Sequence, residues 1–307
     1  MKRLIEAVAI VLWLGTSAAT AQTKLVLGYT SANTFIPAFV AKEEGFFAKR
    51  GLNIELQRIQ VGSTIPAALL SDSLQIGCLT APPVLLASEG GIALQIVAGA
   101  SVQARSNPTT AVVARPEANI KVPADFRGKR VGVPGINGVN QVVFIRWLQL
   151  KGIDPKGVIF VEAAFPQMND MLRGGTIDAA LPVEPFLKRI QDAKVGALVA
   201  NYTAEVTDSY LESFYVTTRK FAEANPAVVQ AIRESIRDGL AFTEKNPEAA
   251  RKTQVKYLGL PEALAATIPF PTFTVDVNVA QMQYWIDTMK QTGGLKGTVR
   301  AEEVVAK

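Results

Sequence analysis

The side chains of this chain that could do chemistry are hydroxyls, amides and one oddly placed carboxylate. They sit in short loops that leave apolar runs. Ser31, Asn33 and Thr34 follow KLVLGY, Gly62, Ser63 and Thr64 follow the run from Asn53 to Gln60, and Thr80 follows LQIGCL. About a hundred residues later the same kinds of residue recur in the same order. Asn137, Gly138, Val139 and Asn140 follow RVGV, Phe165 follows VIFVEAA, and Glu184 and Phe186 flank Pro185 after IDAALPV. Hydroxyls and amides donate and accept hydrogen bonds without titrating near neutrality. The set therefore suits holding a small solute, with glycines that let backbone approach it and with Phe165 and Phe186 as apolar walls. Each residue also has a plainer reading. The Ser and Thr positions can be helix caps, the two phenylalanines ordinary core, and Glu184 a cap for the next helix or the partner of an arginine. A charge after a strand and before a proline makes Glu184 the sharpest single candidate for accepting a bond from a ligand N–H or O–H.

The residues that are missing narrow the chemistry further. There is no histidine in 307 residues, which removes the commonest general base and metal ligand together. The single cysteine, Cys78, lies in an apolar run. It reads as a buried thiol, because no histidine exists to activate it. No G-x-S-x-G elbow, no GxxxxGK[ST] loop and no pair of carboxylates in one loop is present, so catalysis is not expected. Nor is any metal or cofactor. A net charge of +5 without a run of five basic residues excludes a nucleic-acid footprint. With 49% hydrophobic and 19% charged residues, the chain can bury a large core, and a monomer is expected.

Two copies of one βαβαβ unit must position these loops, the first from Leu25 to Pro83 and the second from Arg130 to Phe186. Gly51-Leu52 answers Gly152-Ile153, Leu69-Leu70 answers Met171-Leu172, and Leu74-Gln75-Ile76 answers Ile177-Asp178-Ala179. Strands alternating with helices imply right-handed crossovers and mostly parallel sheets, and ligands bind beyond the carboxyl ends of such strands. The fold class is thus α/β in two lobes with a cleft between them. Asn225-Pro226 and Asn246-Pro247 read as a cap followed by a first-turn proline. Met282, Trp285, Ile286 and Met289 mark the core face of a late helix. This helical C-terminal third is expected to pack back on the first lobe. The division is residues 22–107 for lobe 1, 108–211 for lobe 2 and 212–307 for the rest of lobe 1, with hinges near Asn107 and from Thr207 to Glu212. Residues 1–21 read as a signal peptide: Lys2 and Arg3, an apolar run from Ala7 to Leu14, then Ala19-Thr20-Ala21. Such a run is too short to span a bilayer, although an uncleaved anchor is the competing reading.

AKEEGFFAKRGLNIEL, GKRVGVP, LRGGTIDAALPVEPF and FAEANPAVVQAIRESIRDGLAF, in that order, resemble the signatures of periplasmic solute-binding proteins of the nitrate, sulfonate, taurine and thiamine-precursor group. The resemblance covers nearly the whole chain after the leader. It implies a type II-like two-lobed periplasmic-binding-protein fold that closes on a small-molecule ligand in the periplasm and then docks on an ABC importer's membrane permease. Asp72-Ser73-Leu74-Gln75 departs from the family's Gly-x-Leu-Asp. The pyrimidine-making relatives use a histidine and a cysteine cluster that this chain lacks. Sulfonate, nitrate, pyrimidine-like heterocycle and aromatic acid all stay open as ligands. A sensor subunit and an exported enzyme on the same scaffold are the rival readings. No Lys or Arg lies in the predicted cleft loops, which tilts the reading away from small, highly charged anions.

Overall fold

Each βαβαβ run folds around its own first strand. The computed structural model describes residues 22–305, and the leader reading lies outside them. The first run supplies β1 (Thr23–Tyr29), β2 (Leu52–Arg58) and β3 (Ile76–Thr80), and β4 (Leu94–Ala104) follows it. The second, with the strands that flank it, supplies β5 (Val112–Ala114), β6 (Arg130–Val133), β7 (Ile159–Glu162), β8 (Ala179–Ala180) and β9 (Ala197–Ala200). The chain then returns through β10 (Ser209–Thr218) and β11 (Thr272–Phe273). The strand orders are β11-β4-β10-β3-β1-β2 and β7-β6-β8-β5-β9. Within them β2-β1-β3 and β7-β6-β8 are the same parallel unit.

The match between the halves extends to single contacts. The Gln75 amide oxygen accepts the Val26 N–H at 2.8 Å, and Asp178 accepts the Arg130 N–H at 2.9 Å at the equivalent place. Gly28 gives its space to Leu74, and Gly132 gives its space to Ile177.

The sheets are mixed rather than parallel throughout. β10 runs antiparallel to both β3 and β4, β11 antiparallel to β4, and β5 antiparallel to both β8 and β9. These antiparallel strands are the segments that enter or leave a sheet, where no helical crossover sets direction.

The helices are α1 (Ile36–Glu43), α2 (Ile65–Leu70), α3 (Ala81–Glu89), α4 (Val139–Leu150), α5 (Met168–Arg173), α6 (Phe186–Asp192) and α7 (Tyr202–Val206), followed by α8 (Arg219–Ala224), α9 (Pro226–Lys245), α10 (Pro247–Leu258), α11 (Glu262–Thr267) and α12 (Val279–Gln291). Three of them differ from the sequence reading. Pro82 and Pro83, where the first βαβαβ unit was expected to end, stand in the first turn of α3, where a missing N–H costs nothing. Helix α4 begins inside the expected loop and takes in Val139 and Asn140. Ser63 and Thr64 make no cap to α2; the Thr64 hydroxyl donates instead to the Val61 carbonyl at 2.8 Å. Asn225 and Asn246 likewise close the preceding helices, donating to the Phe221 and Phe242 carbonyls.

The C-terminal third packs mainly on the first sheet. Met282, Trp285, Ile286 and Met289 are buried, and Trp285 Nε1 donates to the Leu211 carbonyl at 2.8 Å. Helix α9 lies along α1 so closely that a Cβ on Gly239 would overlap the Pro37 carbonyl oxygen. Backbone cannot yield there as a flexible side chain would. Gly239→Ala is therefore expected to destabilise by about 1–3 kcal/mol from overpacking, despite roughly 1 kcal/mol of better helix propensity. Thermal unfolding of the variant should show a melting point several degrees lower; an unchanged or higher one refutes this account of the α1–α9 contact.

Candidate functional site

A cavity open to solvent lies where the carboxyl ends of the two parallel units face each other. Thr30, Thr34, Gln60, Gly62, Ser63 and Thr80 line it from the first sheet's loops. Pro134, Gly135, Ile136, Gly138, Val139, Asn140, Phe165 and Val183 line it from the second. A Cβ on Gly135 would stand 3.8 Å from the Val61 side chain, so the two rims come close.

Eight of the residues read from the sequence stand on this wall: Thr34, Gly62, Ser63, Thr80, Gly138, Val139, Asn140 and Phe165. Gly138 immediately precedes α4 in extended conformation, which brings Val139 and Asn140 to the cavity on the helix's first turn. The Asn140 amide donates to the Leu181 carbonyl at 3.1 Å, tying that turn to the end of β8.

The other six residues read from the sequence stand off the wall. Ser31 is buried beside it. Asn33 donates to the Pro269 carbonyl at 3.2 Å, which anchors the loop before α1 to the chain's return. Thr64 is turned back on Val61. Asn137 takes a left-handed backbone, and its N–H is held by the Gln141 side chain at 2.6 Å. Phe186 stacks behind Phe165, with ring centroids 5.9 Å apart and planes 10° apart. Glu184 accepts the Lys188 N–H of α6 at 3.3 Å, and burial raises its pKa. That geometry is the capping role weighed against ligand contact in the sequence.

The sequence reading missed Glu212 and Ser213. Both line the cavity from β10. Leu211 pairs with Val102 and Ser213 with Ser101, so Glu212 is the extra residue of a β-bulge. A bulge re-aims a side chain, and here it delivers a carboxylate 5% exposed to the cavity wall. The Ser101 hydroxyl reaches Glu212 Oε2 at 3.1 Å and the Ser213 hydroxyl at 2.7 Å. Burial, opposed only by the bond from Ser101, pushes the Glu212 carboxyl up to about 7. The one available signal was a single acid inside YLESFYVTT, a run with no other charge. Cys78 also lines the cavity, and burial raises its thiol well above the usual range. No Lys or Arg lines it. Among the described residues no cluster of His, Cys, Asp and Glu could hold a metal ion.

The family model described as NMT1/THI5 like matches residues 32–250. This chain belongs to the NMT1/THI5-like family. The chain is similar to the nitrate/nitrite binding protein NrtA of Nostoc sp., 26% identical over 73% of this chain and 54% of that protein. It is also similar to the taurine-binding periplasmic protein of Escherichia coli, 29% identical over 69% of this chain and 64% of that protein. The chain thus spans between half and two thirds of the length of these curated relatives. Among solved structures, the alkanesulfonate-binding protein SsuA from Xanthomonas axonopodis pv. citri, bound to MOPS, shares the fold. Its TM-score is 0.79 at 19% identity, covering 93% of this chain and 99% of that one. The type II periplasmic-binding-protein fold expected from the sequence is therefore the fold of the family member.

Glu212 also sets a pH dependence. With its carboxyl raised from 4.5 to about 7, the folded protein keeps a proton that the unfolded chain releases across that window. The associated stability is complete below pH 4.5 and is lost as pH rises through 7. The shift corresponds to about 3 kcal/mol. Glu212→Gln should therefore melt close to wild type at pH 4.5 and above it at pH 8. Melting-point differences that stay flat between these pH values would remove Glu212 as the cause.

Proposed function

We propose that this protein is the extracytoplasmic solute-binding component of an ABC importer. It captures a small solute in the cavity between its two sheets and passes it to the membrane permease. The observation that carries the reading is that one cavity takes its wall from the strand-end loops of both sheets, where open α/β sheets bind ligands. The names of the relatives, which bind nitrate or nitrite, taurine and alkanesulfonate, support a small polar or amphipathic solute. The periplasm as its place rests on the leader read in residues 1–21 and on the periplasmic relative.

Residues 22–107 with 212–307 act as one lobe and 108–211 as the other. They close about the crossings at Asn107 and at Thr207 to Glu212. These crossings lie side by side: the Arg105 N–H donates to the Asp208 carbonyl at 2.8 Å. Such a pair of adjacent strands can absorb a hinge rotation at few positions. The chain performs no reaction in this role and works as a monomer.

The test is a thermal-shift screen of residues 22–307 against sulfonates, nitrate, pyrimidines, aromatic acids and organic amines. A ligand at a hundred times its dissociation constant adds about 2.7 kcal/mol, or several degrees at this chain length. One class of hits, with a smaller radius of gyration by X-ray scattering when bound, is the expected result. A folded protein that none of the panel stabilises would overturn the reading.

A further inference from the structure

Glu212 is the one carboxylate on the cavity wall, and nothing on the wall balances its charge. The groups that reach it from each neighbouring element are uncharged at neutral pH. They are Ser101 on β4, Ser213 and Tyr210 on its own strand, and Tyr202 on α7. Cys78 of β3 shares the wall, with its thiol held protonated by burial. One hydroxyl hydrogen bond to Oε2 is all the protein offers this carboxyl among the described residues. A single hydroxyl does not repay the transfer of a carboxylate from water into a buried site.

The other buried acids of the chain are provided for. Asp178 has Arg115 at 2.9 Å and Arg130 at 3.0 Å, and Glu184 has the N-terminal turn of α6. Glu212 alone is turned by a bulge into a cavity and left there without a cation. An unpaired acid aimed into a cleft marks a recognition site.

We propose that Glu212 is the specificity residue of the cavity and that the solute carries a nitrogen donor, a protonated amine or amidine or the N–H edge of a heterocycle, that pairs with it. The apolar part of the solute lies against Leu79, Ile136, Val139 and Phe165. This inference rests on the solute-binding reading and narrows it. A bare oxyanion such as nitrate would meet a carboxylate and no Lys or Arg on the wall, which is a repulsive arrangement.

Proton linkage gives the test a sign. A nitrogen donor favours the ionised carboxyl, so binding near pH 7 releases a proton from the protein. An anion favours the neutral carboxyl, so its binding takes a proton up. Isothermal titration of residues 22–307 at pH 7, in two buffers of different ionisation enthalpy, reads this directly. The probes are benzylamine and benzamidine against benzoate, benzenesulfonate and nitrate.

The expected result is binding of a nitrogen probe with proton release, weakened at least about tenfold in Glu212→Gln, the loss of one charged hydrogen bond. Proton release is measured on the wild-type protein, so the test stands even if the variant folds poorly. Binding of the acids with proton uptake would overturn the nitrogen assignment and leave the solute-binding reading intact. Binding of no probe from either set would overturn both.

Discussion

Strand β10 has to return to the first sheet between β3 and β4, and most of the site depends on that one pairing. Because β10 closes the sheet from the inside, the outgoing and incoming crossings to the second sheet lie next to each other. Ladder pairing from Ser209 to Thr218 buries eight of its ten residues, including a glutamate that no isolated strand would bury. The bulge at Glu212 is what makes the insertion compatible with that acid. The strand gains a turn in its ladder, and the carboxylate gains the cavity in place of the core.

The same chain handles its buried carboxylates in three ways, and the difference is where their compensation comes from. At the start of β6 and β8, Asp178 is held well below the usual carboxylate range by hydrogen bonds from Arg130 and then from Arg115. It ties the far end of the second sheet together. Glu184 takes a backbone N–H at the start of α6. Glu212 takes only a hydroxyl. Charge that is fully compensated from within the protein serves stability. Charge that is not compensated costs stability, and the recognition role proposed for Glu212 draws on that cost. The cavity is in keeping with this, since its wall is hydroxyls, amides, backbone and apolar side chains around one acid.

The repeat of β2-β1-β3 as β7-β6-β8 explains why one cavity receives matched loops from two sheets. In each unit the first strand is central, and its end loop meets the loops of its two parallel neighbours. The glycines at 28 and 132 keep those three strands close by yielding their side-chain space to Leu74 and Ile177. The loops are then carried to the same end of each sheet, where both sets line one cavity.

Much of this was legible in the residues themselves. Strand, loop and helix order followed from apolar periodicity and from glycine and proline punctuation, which are local properties. The pairing of Leu74-Gln75-Ile76 with Ile177-Asp178-Ala179 identified the repeat before any coordinate did, because equivalent packing demands equivalent residue types. The wall positions Thr34, Ser63, Thr80 and Asn140 were readable because strand-end loops of a parallel unit have one place to go. The tertiary structure decided the rest. Only the meeting of β10 with β4 created the bulge, since a bulge is a mismatch between two strands far apart in the chain. The structure also chose between the readings of Glu184, setting it on the Lys188 N–H four residues along. An acid's role depends on which groups surround it after folding, and the sequence by itself does not bring those neighbours together.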